Sequence, residues 1–210
     1  RRVLFRSSLP SYLEMKVRLS CCSKSSEEVE IRLSKAEDMI VSSLGEWIYG
    51  KDNDTLEGKV GELFLENNKT LAVAESCTGG LIGHRLTQTP GSSNYFLEGV
   101  VAYSNEAKSS RLEVSPSLIR KYGAVSEEVA LAMADGVRKT SGADIGLSVT
   151  GVAGPDASNN KPVGTVFIAI SDEEKSDCKY FCFYSDRSRN KERSAQAGLD
   201  LLRRWFRNRI

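Results

Sequence analysis

Thr70-Leu71-Ala72-Val73-Ala74 reads as a short buried strand. It runs straight into the polar turn Glu75-Ser76-Cys77-Thr78-Gly79-Gly80, and from Gly79 the pattern is helical to about residue 87. Strand, tight polar turn and helix together aim one side chain and several backbone N–H groups into a single crevice. The alternation continues downstream, with a strand at 99–103 and helices at 115–121 and 126–140. The second of these helices has Ser126 as its cap and Val129, Met133 and Val137 as its inner stripe. A strand at 145–149 leads into Thr150-Gly151-Val152-Ala153-Gly154-Pro155. Strands at 163–170 and 178–184 follow, joined by Asp172-Glu173-Glu174, a connection short enough for an antiparallel hairpin. A basic helix at 189–209 closes the chain. This order predicts an α/β fold of three layers, α/β/α, around a mixed, mostly parallel sheet.

Ahead of that core, Leu56, Val60, Leu63 and Phe64 share one side of a helix predicted at 55–67, with Asp54 as its N-cap. Residues 27–54 are a helical extension with Val29, Ile31, Leu33 and Ala36 leading an apolar stripe, ended by the polar break at 50–54. Residues 1–26 carry six arginines and lysines against the single acid Glu14, with seven serines. That composition fits an organellar transit segment, a disordered leader, or translated sequence ahead of a start at Met15. The domain proper is expected over 55–210. A net charge of +1 argues for neither nucleic acid nor membrane as a partner, and no apolar run approaches the ~20 residues of a membrane span. The five cysteines, at 21, 22, 77, 178 and 182, show no paired CxxC spacing. They predict no structural zinc and a reducing compartment inside the cell, cytoplasmic or, with a transit segment, organellar.

Chemistry is constrained by the single histidine. His84 follows Ser76 by eight residues on the helix the serine opens, about 12 Å along its axis, so a Ser-His-Asp triad is excluded, as is a multi-histidine metal site. A serine can instead use a neutral lysine as base. Bringing lysine from ~10.4 to about 7–8 requires about 4 kcal/mol of destabilisation of the cation, which burial can supply. Lys108 lies just past the second strand of the core, where it is either such a base or an ordinary solvated lysine. The turns at 76–80 and 150–155 are either simple caps or, at strand ends, a site for a polar, phosphate-bearing ligand. They match neither a Walker loop nor GxGxxG. Arg203, Arg204, Arg207 and Arg209 are explained by amphipathic packing of Leu199, Leu202 and Phe206, or by an acidic partner.

Six collinear motifs carry a resemblance: AESCTGG at 74–80, GSS at 91–93, YSNEAK at 103–108, GAVSEEVA at 123–130, TGVAGP at 150–155 and KPVGTV at 161–166. Together they resemble the CinA C-terminal domain family, which includes the bacterial nicotinamide mononucleotide deamidases. The resemblance implies an amidohydrolase that needs no cofactor or metal and converts nicotinamide mononucleotide and water to nicotinate mononucleotide and ammonia. It implies Ser76 as nucleophile, Lys108 as general base, and Tyr103 orienting the lysine or the substrate. Backbone around Thr78, Gly79, Gly80, Thr150 and Gly151 would hold the oxyanion and nucleotide, with Arg187 reaching the phosphate or a neighbouring subunit of a homo-oligomer. One departure stands out. The family's glycine-rich loop is replaced by Asp156-Ala157-Ser158-Asn159-Asn160. A second reading, a non-catalytic or regulatory nucleotide-binding domain, keeps the fold and turns but has no use for Ser76 and Lys108.

Overall fold

The computed structural model describes residues 4–11, 13–158 and 161–207. The chain divides into two compact units, the first ending at Tyr49 and the second beginning at Gly50. In the first, β1 (Leu4–Pro10) pairs antiparallel with β2 (Met15–Cys21), in register from Leu4 opposite Cys21 to Pro10 opposite Met15. α1 (Ser26–Leu44) follows, its start capped by Ser25, whose side chain accepts the Glu28 N–H. The residues that composition assigns to a leader thus hold a strand pair. Val17, Leu19 and Cys21 alternate with Lys16, Arg18 and Ser20, the period-two signal of a strand, beneath an arginine- and serine-rich composition.

The second unit opens with α2 (Leu56–Glu66). Thr55 rather than Asp54 caps it, accepting the Gly58 N–H at 3.1 Å. Asp54 instead accepts the Lys51 N–H and pairs with Lys59. Then follow β3 (Leu71–Glu75), α3 (Leu81–Thr87), β4 (Phe96–Val101) and α4 (Asn105–Leu112). α5 (Pro116–Tyr122), α6 (Glu127–Ser141), β5 (Ile145–Gly151), β6 (Thr165–Ser171), β7 (Ser176–Cys182) and α7 (Arg187–Arg207) complete the order.

The strands lie in the order β4-β3-β5-β6-β7. β3 is parallel to both β4 and β5, and β6 is antiparallel to both its neighbours, so β6 alone is reversed. The sheet is mixed, mostly parallel, with helices on both faces. All five residues of β3 are buried, as a central parallel strand requires. α6 packs on β3, β5 and β6 and against α4 and α5, whereas α2, α3 and α7 pack together. No described helix is long and apolar enough to cross a membrane.

The basic terminal helix is tied into the fold. Arg203, 2% exposed, and Arg204 both reach Asp200, at 2.6 and 2.7 Å, and the Trp205 indole N–H donates to Asp172. Leu199, Leu202 and Phe206 are buried with Trp205, the packing expected of this face.

α6 approaches the sheet closely because Gly146 presents no side chain. A Cβ at Gly146 would lie 2.0 Å from the Ala134 carbonyl oxygen and 2.9 Å from Arg138 Cβ. Backbone cannot yield as a flexible side-chain tip does. Gly146→Ala is therefore expected to destabilise the domain by about 3 kcal/mol, the upper part of the overpacking range. Urea unfolding monitored by tryptophan fluorescence measures it, and an unchanged midpoint would show that α6 slides freely over β5.

Candidate active site

Ser76 is held at the end of the sheet by its neighbours. Its N–H donates to the Val149 carbonyl at 2.9 Å, one step beyond β3, and the Ala102 N–H donates to the Glu75 carbonyl at 2.8 Å. The chain then reverses through Gly79 and Gly80, at φ +64° and +94°, backbone that glycine adopts without a Cβ penalty. α3 starts at once, and Ser76 stays at the mouth of the strand ends, where open α/β sheets bind ligands.

Lys108 comes from α4, which the sequence reading passed over. Ser104 caps this helix by accepting the Ala107 N–H at 3.1 Å, and Lys108 and Leu112, one turn apart, are its two buried residues. A serine three residues before an alanine-lysine turn was the available signal. Lys108 is 1% exposed, and its Nζ donates to Ser76 Oγ at 3.1 Å and to the Ala102 carbonyl at 2.9 Å. No ion pair holds it among the described residues. Burial pulls its pKa below the ordinary lysine value, with the Cys77 sulfur acting weakly in the other direction. Burial also pushes the Cys77 thiol up to about 12. At neutral pH that sulfur carries no charge to retain a proton on Lys108.

A cleft of about 240 Å³ opens over the pair. Ser76, Cys77, Lys108, Thr150 and Gly151 line it with Tyr103 and Arg187, and Asn105, Asp156 and Ser158 complete its polar border. Ser76, Lys108 and Thr150, 74 residues from first to last, thus share one crevice. The Thr150 hydroxyl donates to the Ala124 carbonyl at 2.8 Å. Arg187, the first residue of α7 and not a strand residue, donates from Nη2 to the Tyr103 hydroxyl at 2.8 Å and from Nη1 to the Gly154 carbonyl. Tyr103 therefore does not orient the lysine through a hydrogen bond; the Ala102 carbonyl does so. Asn190, fully buried, donates to the Ala153 carbonyl at 3.0 Å and fixes the 150–155 turn to α7, a role the sequence did not suggest.

Thr78, Gly79 and Gly80 lie in the turn between Ser76 and α3. None lines the cleft. The Gly79 N–H donates to the Ser76 carbonyl at 3.1 Å and the Gly80 N–H to Glu75 Oε2 at 3.0 Å, so both are consumed in forming the turn. Cys77, which lines the cleft beside Ser76, was missed as a candidate. Of the divergent loop, Asp156 and Ser158 border the cleft, while Asn159 and Asn160 lie outside the described residues. His84 is exposed on α3. Among the described residues no cluster of three or more His, Cys, Asp or Glu is placed to hold a metal.

The profile of the CinA C-terminal domain matches residues 53–206. The chain belongs to the CinA C-terminal domain family. A CinA-like protein of Desulfotalea psychrophila is 52% identical over 168 residues, covering 80% of this chain and 41% of its own length. A CinA-like protein of Cytophaga hutchinsonii is 44% identical over 197 residues, 93% of this chain and 47% of that one. The chain thus spans about half the length of these relatives. The crystal structure of the competence damage-inducible protein A (ComA) from Klebsiella pneumoniae superposes with a TM-score of 0.70 at 31% identity, covering 71% of this chain and 93% of that one. The competence/damage inducible protein CihA of Agrobacterium tumefaciens gives 0.69 at 33% identity, with 74% and 96% covered.

The buried lysine of this CinA domain makes stability depend on pH. With its folded-state pKa depressed, the unfolded chain binds more protons between that value and the unfolded value near ~10.4. The cost of burying Lys108 is therefore full below the folded pKa and is lost as pH rises to the unfolded one. Against Lys108→Met, the parent is expected to gain stability as pH rises from the depressed folded-state pKa towards the unfolded value of ~10.4. Urea titrations of the two proteins test this, and parallel pH profiles would show that Lys108 stays charged in the fold.

Proposed function

We propose that this CinA domain hydrolyses the carboxamide of nicotinamide mononucleotide, releasing ammonia and nicotinate mononucleotide through an acyl-enzyme on Ser76. The observation that carries the reading is the 3.1 Å contact between Ser76 Oγ and the Nζ of a lysine buried with no counter-ion among the described residues. A binding module has no need to bury a lysine against a serine hydroxyl. Once Lys108 is neutral the contact reverses. The serine O–H then donates to the Nζ lone pair, and one Nζ–H still donates to the Ala102 carbonyl.

In the acylation step Oγ attacks the carboxamide carbon while its proton passes to Nζ, and the carbonyl π electrons move to oxygen. Collapse of the tetrahedral intermediate breaks the C–N bond. Nζ returns the proton to the departing nitrogen, and ammonia leaves. Water then repeats the sequence, adding to the ester carbon, giving a proton to Nζ and expelling Ser76, which takes that proton back. The oxyanion donor falls to the Cys77 N–H. This residue follows the nucleophile and borders the cleft, the position that serves this role in strand-turn-helix nucleophile sites. Arg187 and Tyr103 at the cleft border suit the phosphate, and the pyridinium withdraws electrons from the carboxamide.

Ammonia release from nicotinamide mononucleotide tests the reading. Ser76→Ala and Lys108→Ala are each expected to lower kcat by about 10³-fold or more with nucleotide affinity retained. The double variant should be no worse than either, because the two act as one unit. Lys108→Arg fails equally, since a guanidinium stays protonated. In the parent, kcat/KM rises with pH through the depressed lysine pKa and levels above it, because only the neutral amine accepts the proton. Full activity in Ser76→Ala would overturn the acyl-enzyme route.

A further inference from the structure

Glu75 is 2% exposed, yet no lysine or arginine pairs with it among the described residues. Its carboxylate is used entirely by backbone. Oε2 accepts the Gly80 N–H at 3.0 Å and the Ile82 N–H at 3.1 Å, and Oε1 accepts the Gly83 N–H at 2.9 Å. These are N–H groups at the start of α3 that no intrahelical carbonyl can satisfy. The side chain of the residue before Ser76 thus reaches over the serine turn and locks the segment that follows it.

The main chain of the same residue reaches the other half of the pair. The Glu75 carbonyl accepts the Ala102 N–H at 2.8 Å, and the Ala102 carbonyl accepts from Lys108 Nζ at 2.9 Å. One residue therefore fixes the nucleophile's turn through its carboxylate and the base through a single intervening residue, Ala102. We infer that Glu75 is the positioning residue that sets the Ser76–Lys108 separation, an inference that rests on the amidohydrolase reading for its consequence in rate but not for its geometry.

A neutral isostere separates this role from simple support of the fold. In Glu75→Gln one carboxylate oxygen becomes an NH₂ group, which cannot accept from the N–H it faces. The N-terminus of α3 then shifts, and Ser76 with it. Misplacement by about 1 Å costs on the order of 10²-fold in rate. The expected result is a fall of about 10- to 100-fold in kcat for nicotinamide mononucleotide with KM nearly unchanged. The crystal structure of the variant should show the Oγ–Nζ distance beyond hydrogen-bonding reach. Glu75→Asp, which keeps the charge but reaches one methylene less far, should give a smaller loss and carries the test should the glutamine variant not fold. A lower melting temperature with parent kcat and an unchanged Oγ–Nζ distance would overturn the inference and leave Glu75 a helix cap only. A lengthened distance in a protein whose parent form shows no turnover would uphold the positioning role and remove the proposed reaction instead.

Discussion

The constraint on which the rest of this domain depends is the burial of a lysine amine with a serine hydroxyl and a carbonyl oxygen as its hydrogen-bond partners. An ammonium group taken from water into such a place costs several kcal/mol unless a counter-ion comes with it. The neighbouring groups withhold that counter-ion. Cys77, the nearest titratable sulfur, is itself buried and kept as a thiol, and the carboxylate of Glu75 faces the backbone of α3. The environment therefore disfavours the ammonium form and draws the lysine pKa down. A carboxylate beside Nζ would have made a more stable ion pair and a poorer base.

Holding that arrangement is the work of the sheet. Three parallel strands, β4, β3 and β5, end at one edge. β4 and β3 contribute the residues just past their ends, Ala102 with the start of α4 and Ser76, and β5 contributes its last two, Thr150 and Gly151. Reversing β6 brings the chain back antiparallel to β5, so the 150–155 turn is drawn over the edge and is tied to α7 by Asn190. Glycine at 151 is part of the same packing, since a Cβ there would meet Cys77 Sγ at 3.1 Å and the Thr165 carbonyl at 2.7 Å.

Much of this was legible in the sequence. The buried run before Ser76, the strand entering Thr150 and the acidic hairpin at Asp172 each have a local signature, and the structure shows all three. The helix carrying Lys108 was missed because Asn105, Glu106, Ser109 and Ser110 give it almost no apolar stripe; its signal is the Ser104 cap alone. How Gly79 and Gly80 use their N–H groups was hidden for a different reason. Glycines in a serine turn look like free donors, and nothing local reveals that Glu75 folds back to occupy one of them. The β1–β2 hairpin was hidden by composition, since an arginine- and serine-rich segment can still alternate with period two. The hydrogen bond that Tyr103 accepts from Arg187, 84 residues away, has no local signature.

The cleft is divided by how strongly charge acts within it. At the floor, where Lys108 is 1% exposed, a charge is screened far less than it would be in solvent. At the border, Arg187 is exposed and Tyr103 is 61% exposed, so attraction is screened by solvent and salt. Two of the five guanidinium N–H donors are already engaged by Tyr103 and Gly154, which holds the fork in place before any ligand arrives. On the proposed reading the two zones divide the task. The border recognises the anionic end of the nucleotide at little cost in rearrangement, and the uncharged floor receives the carboxamide. A permanent cation such as Arg at position 108 would bring the border's chemistry to the floor, and a phosphate drawn there would displace the group to be hydrolysed. Separation of the fixed cation from the titratable one is therefore as much a part of specificity as the contacts each makes.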